Sequence, residues 1–128
     1  MKALIVDDVE LNRELLVMFL EGRAAVVCAE SGEDALKLVA DALGADAYFD
    51  LICMDIFMPG MDGHEALKKI REMEAAFDGM RATVFMVTGS SSPDDMFDAL
   101  TSGGCDDYLT KPLMQQSFSD LLRKHGLC

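Results

Sequence analysis

Apolar residues follow two alternating rhythms along this chain. Short unbroken runs have strand length: "KALIV" (2–6), "AAVVCA" (24–29), "DLICMD" (50–55), "ATVFMVT" (82–88) and a shorter one inside "CDDYLT" (105–110). Between them the apolar positions fall at helical spacing. Residues 9–22 carry Val9, Asn12, Leu15, Leu16, Phe19 and Leu20 on one stripe, with Gly22 as a stop. Ser31 opens the next helix, with Asp34 at the fourth position of a capping-box-like start and Ala35, Leu38, Val39, Ala42 and Leu43 on its face. Residues 64–77 place Ala66, Leu67, Ile70 and Met73 together. Ser92-Pro93-Asp94-Asp95 reads as a cap, a first-turn proline and two acids near the positive end of a helix through Met96, Phe97 and Leu100. The last helix covers 113–126. The order is strand then helix, five times over. The central strands are continuously apolar rather than alternating, so both faces of the sheet are expected to be covered. The chain is therefore predicted to be a doubly wound α/β protein with a five-stranded parallel sheet. No linker, repeat or low-complexity tract divides residues 1–128, which read as one domain.

Composition narrows the classes. The formal net charge of −12, from 23 acidic and 11 basic residues, disfavours contact with nucleic acid or acidic lipid and suits protein partners and divalent cations. No apolar run approaches the ~20 residues of a membrane span. "MKALIVDD" has no signal-peptide pattern, so a cytoplasmic location is expected. Cys28, Cys53, Cys105 and Cys128 lack metal or redox spacing. The first three are expected as buried free thiols and the terminal one as exposed.

In an open α/β sheet, ligands bind outside the carboxyl ends of the strands. Asp7 and Asp8 follow the first strand, Asp55 ends the third, Thr88 ends the fourth, and Lys111-Pro112 follows the fifth. A phosphate-cradling nucleotide fold would carry glycines where Asp7 and Asp8 stand. Acids there call for a cation, and an all-oxygen set with few protein ligands suits Mg²⁺. With a metal present, Lys111 and Thr88 can bind a dianionic phosphoryl group beside a nucleophilic carboxylate.

The pieces "IVDD" (5–8), "MDIFMPGMDG" (54–63), "MVTG" (86–89) and "DDYLTKP" (106–112), in this order at successive strand ends, resemble the receiver domain of two-component response regulators. The resemblance implies a (βα)5 flavodoxin-like fold with strand order 2-1-3-4-5. It implies that Asp55 accepts a phosphoryl group from a phosphohistidine on a sensor histidine kinase or histidine phosphotransfer protein. It also implies Mg²⁺ (or Mn²⁺) held by Asp7, Asp8, Asp55 and the Phe57 carbonyl, with Lys111 and Thr88 on the phosphoryl oxygens. Thr88 and Tyr108 would be the switch pair, and the bond before Pro112 would be cis. The face of the fourth helix, fifth strand and last helix would then respond and bind a downstream protein, in a monomer or a phosphorylation-dependent dimer. Such a domain is no ordinary enzyme; it catalyses its own phosphorylation and a slow autodephosphorylation.

Two further readings accompany this one. "DDVELNRELL" resembles receivers of hybrid sensor kinases, so the domain can serve as a phosphorelay intermediate; the start at Met1 is read as favouring a small complete protein without an output domain. A Mg²⁺-dependent aspartyl phosphatase needs an acid two residues after the nucleophile, where this chain has Phe57. The resemblance implies that Phe57 and Ser90, two places after Asp55 and Thr88, influence how fast the phosphoryl group is lost; apolar bulk at Phe57 is expected to hinder the attacking water and give slow to moderate self-dephosphorylation. Met58 and Met61 either pack the turn or form an exposed contact. His64 and His125 are expected at the surface. The segments "GSSSPDD", "ADALGADAYFD" and "EMEAAFDGMRA" are longer than the family pattern, and Leu113 replaces a common aromatic.

Overall fold

The computed structural model describes residues 1–77, 81–89 and 104–127. Five strands, β1 (Lys2–Val6), β2 (Ala25–Ala29), β3 (Leu51–Asp55), β4 (Thr83–Thr88) and β5 (Asp107–Thr110), form one parallel sheet in the order β2-β1-β3-β4-β5. The helices among the described residues are α1 (Glu10–Phe19), α2 (Gly32–Gly44), α3 (Gly63–Ala76) and α4 (Gln115–Lys124). The helix expected from Ser92, with Met96, Phe97 and Leu100, lies outside the described residues, as do Ser90 and Cys128.

Strand geometry sends successive side chains to opposite faces, and β1, β3 and β4 are apolar on both. Leu4, Val6, Ile52, Met54, Val84 and Met86 join one core with α2 and α3. Ala3, Ile5, Leu51, Cys53, Phe85 and Val87 join the other with Leu16 and Leu20, and with Phe118 and Leu122 of α4. The Phe85 and Phe118 rings meet edge-on with centroids 6.2 Å apart. Among the described residues, two helices thus pack on each face of the sheet, as expected of a doubly wound sheet. Ser31 and Asp62 cap α2 and α3, accepting from the amides of Asp34 (3.1 Å) and Glu65 (2.9 Å).

Three expectations are corrected. β2 is an edge strand and is only partly covered, so Cys28 is exposed rather than buried. Val9 is the N-cap of α1, one residue before the helical stripe begins, and is 45% exposed. His125 is not a free surface residue. Its ring lies 5.3 Å from that of Phe85, and its Nε2 is 3.0 Å from Asp107 Oδ2, which also accepts from Lys124 Nζ at 2.9 Å. This pair ties the end of α4 to the start of β5. These hydrogen bonds, with that from the Tyr108 amide, outweigh the effect of burial and hold the Asp107 carboxyl below its ordinary range. A second network at the same end of the sheet joins buried Glu74 to Arg71 (2.7 Å) and to the Ala82 amide (2.8 Å). Asp106 there pairs with Arg71 and Arg81.

Candidate functional site

The parallel register aligns the strand ends. Val6 pairs with Met54, Asp55 with Val87, and Thr88 with Thr110. The residues just past β1 and β5, and the last residues of β3 and β4, therefore share one edge, next to the point where the chain order reverses across β1. Asp7, Asp8 and Asp55 each bring a carboxylate oxygen there, and these oxygens all lie within 4.8 Å of one another. Asp7 and Asp55 are buried, while Asp8 is exposed. Lys111 Nζ stands 3.5 Å from Asp7 Oδ2 and 3.5 Å from Asp55 Oδ1, midway between two acids. Thr88 is buried at the end of β4, and its carbonyl accepts from the Lys111 amide at 2.8 Å. The Lys111–Pro112 bond is cis. Tyr108 is half-buried beside the core formed with α2 and α3.

Electrostatics make this set incomplete as it stands. Burial, and next the Asp7 charge, push the Asp55 carboxyl up to about 6, against the pull of Lys111. Asp7 Oδ1 accepts from the Val9 amide at 2.9 Å. Its Oδ2 is buried and has no hydrogen-bond partner among the described residues; the Lys111 ammonium faces it at 3.5 Å. Three carboxylates face one ammonium, so a dication satisfies both the charge and the open oxygen. The donors are all oxygen, which fits Mg²⁺.

The loop after β3 divides its apolar residues between core and surface. Met58 is buried, and Met61 is half-buried against Gly32, where a Cβ would stand 3.1 Å from the methionine side chain. Phe57 instead turns outward, 63% exposed. Gly60 takes a positive φ of 78°, and Gly63 packs tightly behind Asp55. Val9, Leu11 and Met114, all exposed, stand in the loops and first turns at the same edge of the sheet as Phe57. The acidic cluster thus lies at the same sheet edge as several outward apolar side chains. One residue of this region was not expected from the sequence: Arg13, whose guanidinium donates to the Asp7 carbonyl at 2.8 Å.

A carboxylate trio with a lysine beside a cis X-Pro bond, at the switch point of a 2-1-3-4-5 sheet, defines the class of the phosphoryl-accepting receivers. The chain belongs to the response regulator receiver domain family, which it matches over residues 3–123. It is 37% identical over 129 residues to the rice (Oryza sativa subsp. japonica) two-component response regulator ORR41, covering 98% of this chain and 94% of that protein. It is 33% identical over 126 residues to hybrid signal transduction histidine kinase L of Dictyostelium discoideum, but spans only 7% of that kinase's length. Among solved structures, the receiver domain of the Arabidopsis thaliana histidine kinase CKI1 complexed with Mg²⁺ superposes with a TM-score of 0.83. The two are 30% identical, over 97% of this chain and 90% of that one. Residues 3–123 thus form a receiver domain of two-component signalling, of the kind found both in response regulators and in hybrid kinases.

Proposed function

We propose that Asp55 is the phosphoacceptor of a Mg²⁺-dependent signalling switch. The observation that carries this is the position of Lys111, 3.5 Å from both Asp7 and Asp55 in the acidic cluster. Asp7, Asp8, Asp55 and the Phe57 carbonyl are the residues that would hold Mg²⁺ (or Mn²⁺). When bound there, it would supply positive charge that offsets the carboxylates and polarises the phosphoryl group. An Asp55 oxygen attacks phosphorus, the P–N bond of the phosphohistidine breaks, and the electron pair leaves with the imidazole. Lys111 and Thr88 bind the phosphoryl oxygens as the charge moves. Such a reaction is self-catalysed by the domain rather than the turnover of a classical enzyme.

The donor is a sensor histidine kinase or a histidine phosphotransfer protein. Val9, Leu11, Phe57 and Met114, exposed at the same sheet edge, offer it apolar contacts. Output runs through Thr88 and Tyr108 to the face of β5 and α4, which binds a downstream protein as a population shift. The role is that of a cytoplasmic receiver without direct nucleic-acid contact, a monomer or a phosphorylation-dependent dimer. Relay within or beside a hybrid kinase is the second reading, supported by the resemblance to kinase receivers. A phosphatase role is disfavoured because Phe57 cannot protonate a leaving group.

We infer from its place two residues after Asp55 that the exposed Phe57 ring hinders water on its way to the phosphoryl group. Phe57→Asn is expected to speed loss of the phosphoryl group about three- to tenfold, a barrier change of about 1 kcal/mol. Labelling from a phosphohistidine donor and then a decay time course read this. A wild type that takes no label contradicts the switch, whereas equal decay rates remove only the shielding role of Phe57.

A further inference from the structure

Arg13 is largely buried for a charged residue on a helix surface, with 15% of its side chain exposed. Its Nη1 donates to the backbone carbonyl of Asp7 at 2.8 Å. Its Nη2 lies 3.6 Å from Glu30 Oε1, just past the end of β2, and Glu30 is 76% exposed. An exposed partner of that kind contributes little stability, so the ion pair alone does not account for a buried guanidinium here.

The bond to Asp7 has a more specific consequence. Asp7 is held at three points: its amide donates to the Ala29 carbonyl at 3.2 Å, its carboxylate accepts from the Val9 amide at 2.9 Å, and its carbonyl accepts from Arg13. The third contact fixes the orientation of the Asp7–Asp8 peptide plane. Rotation of that plane swings the exposed Asp8 carboxylate relative to Asp7 and Asp55, with which it shares the 4.8 Å cluster. The planar fork of arginine reaches a carbonyl and a carboxylate at once, which the single ammonium of lysine does less well.

We propose that Arg13 is a positioning residue for the cation site, holding Asp7 and Asp8 in the converged arrangement that a dication needs. This rests on the reading of Asp7, Asp8 and Asp55 as metal ligands. Its expected effect is opposite in sign to simple electrostatics. A guanidinium near a cation site repels the cation, so if charge were its only effect, its removal would tighten Mg²⁺ binding. If it positions the loop, removal weakens binding.

The test is a calorimetric Mg²⁺ titration of the metal-free full chain, wild type against Arg13→Met, with amide hydrogen exchange measured on both. The expected result is about five- to tenfold weaker Mg²⁺ binding in Arg13→Met, near the lower end of what loss of an outer-shell partner costs. Exchange at the Asp7 and Val9 amides is expected to quicken by a similar factor, while Leu4 and Ile5 within β1 keep their rates. A general loss of stability would move all four together. If Arg13→Met does not fold, Arg13→Lys replaces it; it keeps the charge, lacks the fork, and is expected to bind about threefold more weakly. Equal or tighter Mg²⁺ binding in the folded variant, or faster exchange spread evenly over β1, overturns the positioning role and leaves the metal site intact. A wild type that binds no Mg²⁺ overturns the metal-site reading itself, and the proposal with it.

Discussion

Asp55→Asn is expected to abolish phosphorylation and, at the same time, to make the metal-free protein more stable at neutral pH. The first effect comes from removing the nucleophile, and labelling falls by at least about a thousandfold. The second comes from the environment of the carboxyl, which burial and the Asp7 charge raise from 3.8 to about 6. A group whose folded value lies above its unfolded one contributes stability that is fully present below the unfolded value. That contribution is lost as pH rises through about 6. At pH 7 the ionised Asp55 therefore costs the metal-free fold about 2–3 kcal/mol, and the neutral amide does not. Thermal or urea unfolding between pH 4 and 8 without metal checks this. The wild type is expected to lose stability relative to Asp55→Asn across that range, and Mg²⁺ to narrow the gap for the wild type alone. Parallel pH profiles would contradict the strained-carboxylate account.

Gly63→Ala is expected to cost about 3 kcal/mol, as overpacking against backbone does when nothing nearby can yield. A Cβ on residue 63 would lie 2.3 Å from the Asp55 carbonyl oxygen and 2.9 Å from Ile56 Cα. The Gly63 amide also donates to the Ile56 carbonyl at 2.8 Å, so the start of α3 is drawn tightly onto the end of β3. Relief would push away the strand end that carries Asp55, so the rate of phosphorylation falls along with stability. Gly44→Ala is the control. It sits at the last position of α2 with nothing within 4 Å of its Cβ, and its change stays within about 0.5 kcal/mol. Urea denaturation of the two variants separates the outcomes; a Gly63→Ala protein as stable as the wild type would show that the backbone there can yield.

The sheet was legible in the sequence because β1, β3 and β4 are buried on both faces and so read as unbroken apolar runs. The acidic site was legible for a related reason. In a parallel sheet every strand ends at the same edge, so the residues after each run, far apart in sequence, must meet. The features that could not be read depend on position across the sheet or on backbone acceptors. Cys28 sits in a run as apolar as the others, and only its place on the edge strand exposes it. His125 finds Asp107 and Phe85 through the packing of the last helix, which no local pattern encodes. Arg13 bonds to a carbonyl, and carbonyls leave no mark on a sequence; its spacing of six from Asp7 was the available clue. Nothing in the sequence separates Gly63 from Gly60, while its neighbours give it a steric reason of its own. The direction of Phe57 was equally hidden, since Phe57, Met58 and Met61 are alike in hydropathy and only the methionines are covered.

The central claim is that Asp55 takes a phosphoryl group with the help of a divalent cation, and peptide-mapped mass spectrometry tests it most directly. The full chain is incubated with a small phosphoryl donor, with Mg²⁺ and with chelator, and then digested. The account predicts one base-labile adduct on the peptide containing Asp55, formed only with Mg²⁺. An adduct elsewhere, an adduct that forms equally in chelator, or no adduct in the presence of Mg²⁺ would contradict it.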